Sequence, residues 1–127
     1  MVPRMPAIEP SVNLIERYTA GERIFVGAEL DARVYDFSGA NLAFADFSRA
    51  FITASFRGAN LQGANFWEAN VKTSDFSGAN LQGASFAGAA IDGAVFENAN
   101  LIGVSFAGAT ESGYTYGPQE QPSTDAA

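Results

Sequence analysis

The sequence predicts an all-β solenoid of about four coils with a four-sided cross-section. Three observations carry it: a five-residue beat of apolar residues from Phe37 to Phe106, a four-unit cycle in their identity, and glycine closing ten of the units. Solenoids of this kind bury a core only by stacking neighbouring coils, so the whole beat belongs to one domain.

The beat comes first. From Ala40 the chain reads ANLAF, ADFSR, AFIT, ASFRG, ANLQG, ANFWE, ANVKT and onward in the same manner. Each unit centres on a bulky apolar side chain, with a small residue two places before it. That small residue is alanine in most units, with Ser74 and Val104 among the exceptions. A period of five matches neither the 3.6 of a helix nor the 2.0 of a flat strand, so each unit holds a short extended side and a corner. Glycine suits corners that need positive φ.

The cycle sets the number of sides. In order the centres are Phe37, Leu42, Phe47, Ile52, then Phe56, Leu61, Phe66, Val71, then Phe76, Leu81, Phe86, Ile91, then Phe96, Leu101, Phe106. With four units per cycle, like side chains stack along each inner wall as two Phe ladders, one Leu ladder and one β-branched ladder. Asn41, Asn60, Asn80 and Asn100 precede the Leu ladder and are expected to form one outer column of structural hydrogen bonds. Two irregularities fall at one corner: Ile52 to Phe56 is one residue short, and Leu30 to Phe37 is two residues long when Phe25 and Leu30 are the preceding centres. Both read as local bulges or tightened turns.

Open solenoid ends invite pairing with another chain, so covers are expected, and the ends allow end-to-end self-association. Residues 1–22 read as an N-terminal arm followed by a capping helix over roughly 11–20. Asn13 and Glu16 have the spacing of a capping box, Gly21 fits a C-terminal cap, and Leu14, Ile15 and Tyr18 give an apolar stripe. Residues 23–113 are the solenoid. Glu111 takes the place of a centre, so the regular core stops after Phe106. Tyr114 and Tyr116 are expected to fold over the last coil, within a polar tail over 114–127 that reads as disordered.

Composition narrows the function. Seven Lys and Arg against fourteen Asp and Glu, a net charge of −7, disfavour a nucleic-acid partner. No cysteine or histidine is present, which removes thiolate nucleophiles, disulfides and the commonest base and metal ligand. No phosphate-binding loop, dinucleotide fingerprint or zinc-protease motif occurs, and the repeat's acids, Asp46, Glu68, Asp75, Asp92 and Glu97, form no pair suited to acid–base work. The expectation is a non-enzyme with no catalytic residue, cofactor or metal. No signal-like or membrane-spanning run occurs, so a cytoplasmic protein without membrane insertion is expected.

The units quoted above resemble those of the pentapeptide-repeat family over residues 37–108. The segment from Leu14 to Phe25 resembles the start of the repeat in members that abound in cyanobacteria. The resemblance implies a right-handed quadrilateral β-helix, often with an N-terminal helical cap. It also implies action by protein contact. The best-understood branch mimics DNA and binds DNA gyrase, whereas other members serve as signalling or targeting partners.

The leading reading is therefore a protein-binding or scaffolding module whose partner is an unidentified protein, with a DNA-mimic regulator of gyrase as the alternative. Residues 37–108 carry five acids against Arg49, Arg57 and Lys72, a weak negative balance for a DNA mimic. Large apolar residues at outward positions mark the candidate partner surface: Phe44, Phe51 and Trp67 in the early coils, with Arg49 and Glu68 as a polar rim. Phe44 and Phe51 are expected at the two corners flanking the face on which Trp67 stands. Ile102 is a further outward apolar residue in the last coil.

Overall fold

A computed structural model describes residues 11–126. The expected N-terminal arm over 1–10 lies outside them. The chain opens with helix α1, Ser11–Thr19, then runs through strands β1, Glu29–Asp36, and β2, Phe51–Ser55, and ends in a small hairpin of β3, Thr110–Glu111, and β4, Tyr114–Thr115. Most of what lies between is a succession of turns tied by single parallel β-bridges.

Those bridges define the coil. Asn60 pairs with Asn80 and Asn80 with Asn100, Asn65 with Ser85 and Ser85 with Ser105, all in parallel. One coil is therefore 20 residues, or four units, in the regular region. Each regular unit with a coil after it closes in the same way. The Phe56 carbonyl accepts the Ala59 N–H at 3.0 Å, while the corner residue Gly58, at φ +65°, donates its N–H to Ser77 of the next coil at 2.9 Å. Positive φ at the third residue of a β-turn is the conformation that glycine adopts without steric cost. The residue before each centre reinforces the turn. Asn60, Asn80 and Asn100 each accept the N–H two residues on, and Asn60 and Asn100 also donate to the asparagine of the coil before, at 3.3 and 3.2 Å. The asparagine column is thus a hydrogen-bonded element of the wall.

The interior is filled by stacked rings. Phe37, Phe56, Phe76 and Phe96 stack at centroid distances of 5.3, 5.0 and 5.2 Å. Phe25, Phe47, Phe66, Phe86 and Phe106 form the second ladder at 5.6, 5.3, 4.7 and 5.1 Å. The two ladders meet edge to face, as between Phe76 and Phe86 at 86°, the arrangement that aromatic quadrupoles favour. Leucines and β-branched centres complete one continuous buried core that includes Leu14 of α1.

Both irregularities sit on one side. Leu30 pairs with Ile52 and Tyr35 with Ala54, so β1 spends five residue steps where β2 spends two, and a bulge separates the pairs. In the following coil Phe51 pairs with Asn70 but Ser55 with Asp75, which places the missing residue between 51 and 55. Ser74, fully buried, mends the gap. Its hydroxyl donates to the Ile52 carbonyl at 3.0 Å and accepts the Ala54 N–H at 3.2 Å.

The ends differ from the sequence reading in detail. Helix α1 begins at Ser11, so Asn13 lies inside its first turn and not at an N-cap. Gly21 does close it: Glu22 N–H reaches the Arg17 carbonyl and Gly21 N–H the Tyr18 carbonyl, both at 2.9 Å, with Gly21 at φ +106°. The Tyr18 hydroxyl donates to the Ala43 carbonyl at 2.9 Å and so ties the helix beside Leu42. At the far end, residues 114–126 do not run free as expected. Tyr116 lies on Phe106 at 6.1 Å and exchanges backbone bonds with Gly108 and Ala109; the Thr124 carbonyl accepts Asn98 N–H, and Gln121 donates to the Leu101 carbonyl. The polar tail supplies partners that the last coil, having no coil above it, would otherwise lack. Tyr116 also gives its hydroxyl to Glu111 at 2.6 Å, and burial followed by that bond pushes the phenol well above its ordinary range.

Candidate functional site

The five residues expected to form a partner surface stand on two successive coils. Phe44 occupies the corner after Leu42 at φ +62°, and Arg49 the corner after Phe47 at φ +59°. Glu68 is the counterpart of Arg49 one coil on, at φ +52°. Later coils place glycine at both corners: Gly63, Gly83 and Gly103 in the first, Gly88 and Gly108 in the second. Three of the five candidates therefore carry large side chains in a backbone region that non-glycine residues enter at a cost of about 1–2 kcal/mol each.

Trp67 follows the buried Phe66 and faces outward, 40 % exposed. The Arg49 guanidinium lies 4.8 Å from its ring centroid, and Arg49 Nε is 3.4 Å from Glu68 Oε1. The structure thus joins Arg49, Trp67 and Glu68 into one cluster. Phe44, 63 % exposed, is held differently: its ring lies on the backbone of Gly63, where a Cβ would come within 2.4 Å of it. Phe51 is not at a corner. Arg49 takes the corner and Ala50 turns inward, so Phe51 becomes the first residue of β2, 44 % exposed and paired with Glu29 and Asn70. No ring contact joins Phe44 or Phe51 to Trp67.

Other outward apolar residues are separate. Ile102, anticipated from the sequence, is 68 % exposed, and Ile24 and Val95, not singled out there, are 61 % and 40 % exposed. Ile24 and Val95 immediately precede centres, at the position that asparagine holds in the regular units; that exchange is the signal that marks them. Across the solenoid, Arg57 pairs with Asp75 at 3.0 Å beside a surface groove also lined by Glu97 and Asn98. Burial pushes the Asp75 carboxyl up. Two bonds from Ser77 and the Arg57 guanidinium outweigh it and hold the group below its ordinary value. Among the described residues no cluster could hold a metal ion, and no helix is long and apolar enough to cross a membrane.

Comparison with known proteins bears on the repeat. The family profile for pentapeptide repeats matches residues 54–89 and 79–110, with eight copies. The chain belongs to the pentapeptide-repeat family. It is similar to the crystal structure of the pentapeptide repeat protein Rfr23 from the cyanobacterium Cyanothece 51142: 28 % identity over 64 % of this chain and 58 % of that one, with a TM-score of 0.53. A pentapeptide repeat protein of the Arabidopsis thaliana thylakoid lumen is 35 % identical over 58 % of this chain and 59 % of its own, at a TM-score of 0.40. HetL, a pentapeptide repeat protein involved in heterocyst differentiation regulation from Nostoc sp. strain PCC 7120, is 26 % identical over 73 % and 49 %, at 0.37. The chain spans about half to three-fifths of the length of these three structures. No curated protein matches it significantly. Membership of the pentapeptide-repeat family makes the fold a right-handed β-helix solenoid, and proteins of this family are commonly interaction modules.

Proposed function

We propose that this chain is a non-enzymatic protein-binding or scaffolding module, and that Phe44, Arg49, Phe51, Trp67 and Glu68 form its partner surface. In this reading residues 23–113 are a quadrilateral solenoid of about four coils. Helix α1, within 1–22, caps one end and the tail over 114–126 covers the other. The four-unit bridging period, the two Phe ladders, the buried Leu14 and the bonds from Tyr116, Gln121 and Thr124 support that architecture.

Backbone strain at the corners carries the functional reading. Phe44, Arg49 and Glu68 put large side chains at left-handed corners that the same chain fills with glycine in later coils, whereas Thr73, Asn98 and Ser112, the non-glycine residues at such corners elsewhere among the described residues, are smaller. The patch holds large rings beside charged groups on a stiff wall, and rigid aromatic anchors lose little freedom on binding.

The alternative, a DNA mimic acting on gyrase, requires a long and strongly negative face. Here the repeat is weakly acidic, and Glu68 and Asp75 are each paired with an arginine. Stacked coils at a strand spacing of about 4.8 Å also make only a short rod of roughly 20 Å.

Affinity capture tests the reading. Wild-type chain and the variant Phe44→Ser/Phe51→Ser/Trp67→Ser, matched by circular dichroism, are used as baits in lysate of the native organism. A partner held by the first and lost by the second supports the surface; equal recovery on both baits overturns it.

A further inference from the structure

The place where the wall is one residue short is also concave. Thr53 runs straight into the buried Ala54, so no corner residue stands beneath Thr73 of the next coil, and a surface groove of about 170 Å³ opens there. Phe51, Ile52 and Thr53 line it from the lower coil; Asn70, Lys72 and Thr73 line it from the upper.

The polar groups of this lining are unevenly committed. Asn70 Oδ1 accepts the Lys72 N–H at 3.1 Å, and the Thr73 hydroxyl donates to the Lys72 carbonyl at 2.6 Å. The Asn70 amide N–H2 is left over. Its column neighbours are Phe51 and Ala90, whereas Asn60 and Asn100 donate to an asparagine one coil before. Lys72, the sole lysine, forms no ion pair among the described residues, although Arg49 and Arg57 are each held by a carboxylate. The Thr53 hydroxyl has no partner among them either. Asp92, one coil on in the Lys72 column, accepts the Ser112 N–H at 2.9 Å instead. The groove therefore offers an ammonium, an amide N–H2 and a hydroxyl, each able to donate, and no carboxylate lines it.

Uncommitted donors beside a cation are complementary to an anion. We propose that this groove receives the carboxylate of an aspartate or glutamate side chain on a partner protein. Lys72, Asn70 and Thr53 hold the carboxylate, and the Phe51 ring covers its apolar stem. Size and charge select this occupant. Small-molecule sites enclose about 300–1,000 Å³, so a groove of this volume takes one side chain and not a whole metabolite. A polyanion such as nucleic acid or an anionic membrane surface would meet the full net charge of −7, whereas a single carboxylate meets mainly the local lysine. The groove adjoins the proposed partner surface at Phe51, so the inference rests on that reading for a protein partner and adds the chemistry of one contact.

Nuclear magnetic resonance of the full chain, at matched pH and ionic strength, is the test. The probes are the blocked dipeptide leucyl-glutamate, its glutamine counterpart and inorganic phosphate. The glutamyl peptide should move the Asn70 side-chain N–H2 signals and the Thr53 and Thr73 amides, saturating with a Kd of about 1–10 mM. The glutamine peptide should bind about tenfold more weakly, and Lys72→Met should weaken the glutamyl peptide by about the same factor. Arg57→Met removes a cation from another wall and should leave that affinity unchanged. Equal binding of the two peptides, shifts scattered over the chain, or a Lys72→Met variant that binds like wild type overturns the proposal. Phosphate bound as tightly as the glutamyl peptide overturns the assignment to an acidic side chain. Failure here is separable from failure of the partner surface. Silence at the groove, with a partner lost from the triple-serine bait, strikes the groove alone; a glutamyl-specific response, with equal recovery on both baits, strikes the surface alone.

Discussion

Ser74→Ala removes one oxygen from the solenoid wall at the place where the repeat is a residue short. In a regular unit the centre's carbonyl is closed by the backbone N–H three residues on, as Phe56 is by Ala59. Between Ile52 and Phe56 that closure is missing, and the Ser74 hydroxyl takes over: it donates to the Ile52 carbonyl and accepts the Ala54 N–H. Ile52 and Ala54 are each 2 % exposed and Ser74 is fully buried, so water cannot substitute without opening the wall. Leaving a buried donor and a buried acceptor unpaired costs about 1–3 kcal/mol each, so the substitution is expected to destabilise by about 2–6 kcal/mol. That is a large share of the roughly 5–15 kcal/mol that holds a domain folded. Urea denaturation followed by circular dichroism measures it, and the midpoint should fall with the slope unchanged. Ser85→Ala is the control. Ser85 is only part-buried and its hydroxyl accepts one N–H, from Ala87, so a change within about 0.5 kcal/mol is expected. A loss below about 1 kcal/mol for Ser74→Ala would refute the view that this hydroxyl replaces the missing turn bond.

Three other outcomes are expected. Phe66 is stacked on Phe47 and Phe86 and met edge-on by Phe56 and Phe76, so Phe66→Ala should cost about 3–5 kcal/mol; a urea-derived loss under about 1 kcal/mol would contradict the ladder. Thr73 is a β-branched residue at φ +61°, and Thr73→Gly should raise stability by about 0.5–1 kcal/mol in the same assay, whereas a loss would mean the corner is unstrained. The bonds from Ser77 and the Arg57 guanidinium hold the Asp75 carboxyl below its ordinary value, so its contribution is fully present above that ordinary value and fades as pH falls through the lower folded one. Asp75→Asn should therefore flatten the acid limb of the stability profile, and an unchanged limb would rule the pairing out as its source.

The repeat made most of the fold legible because its period is set by sterics alone. An apolar residue every fifth place, with a small one two before it, leaves few ways to bury the centres. Even the two irregularities could be placed at one corner from the spacing of Leu30, Phe37, Ile52 and Phe56. What mends the gap was visible only as an exception, serine for alanine at 74, since the need for its hydroxyl arises from a coil 20 residues away. The tail was harder to read. A polar segment with two prolines has no core of its own, and its order comes from backbone groups that the last coil leaves open. The candidate surface was legible as bulky residues at outward positions, and more sharply as corners lacking glycine at 44, 49 and 68. Phe51 was misplaced at a corner because the turn falls at Arg49 and Ala50, a matter of local geometry that composition does not report.

Trp67 is the sole tryptophan and stands within the proposed partner surface, so its fluorescence tests the central claim most directly. In dilute protein its emission should be red-shifted and readily quenched by acrylamide, as befits an exposed ring with the Arg49 guanidinium beside it. The emission should shift to the blue, and quenching should fall, when the partner is added. Strongly blue, unquenchable emission from the dilute chain would show the ring already buried, and the claim that this corner is a binding surface would be wrong.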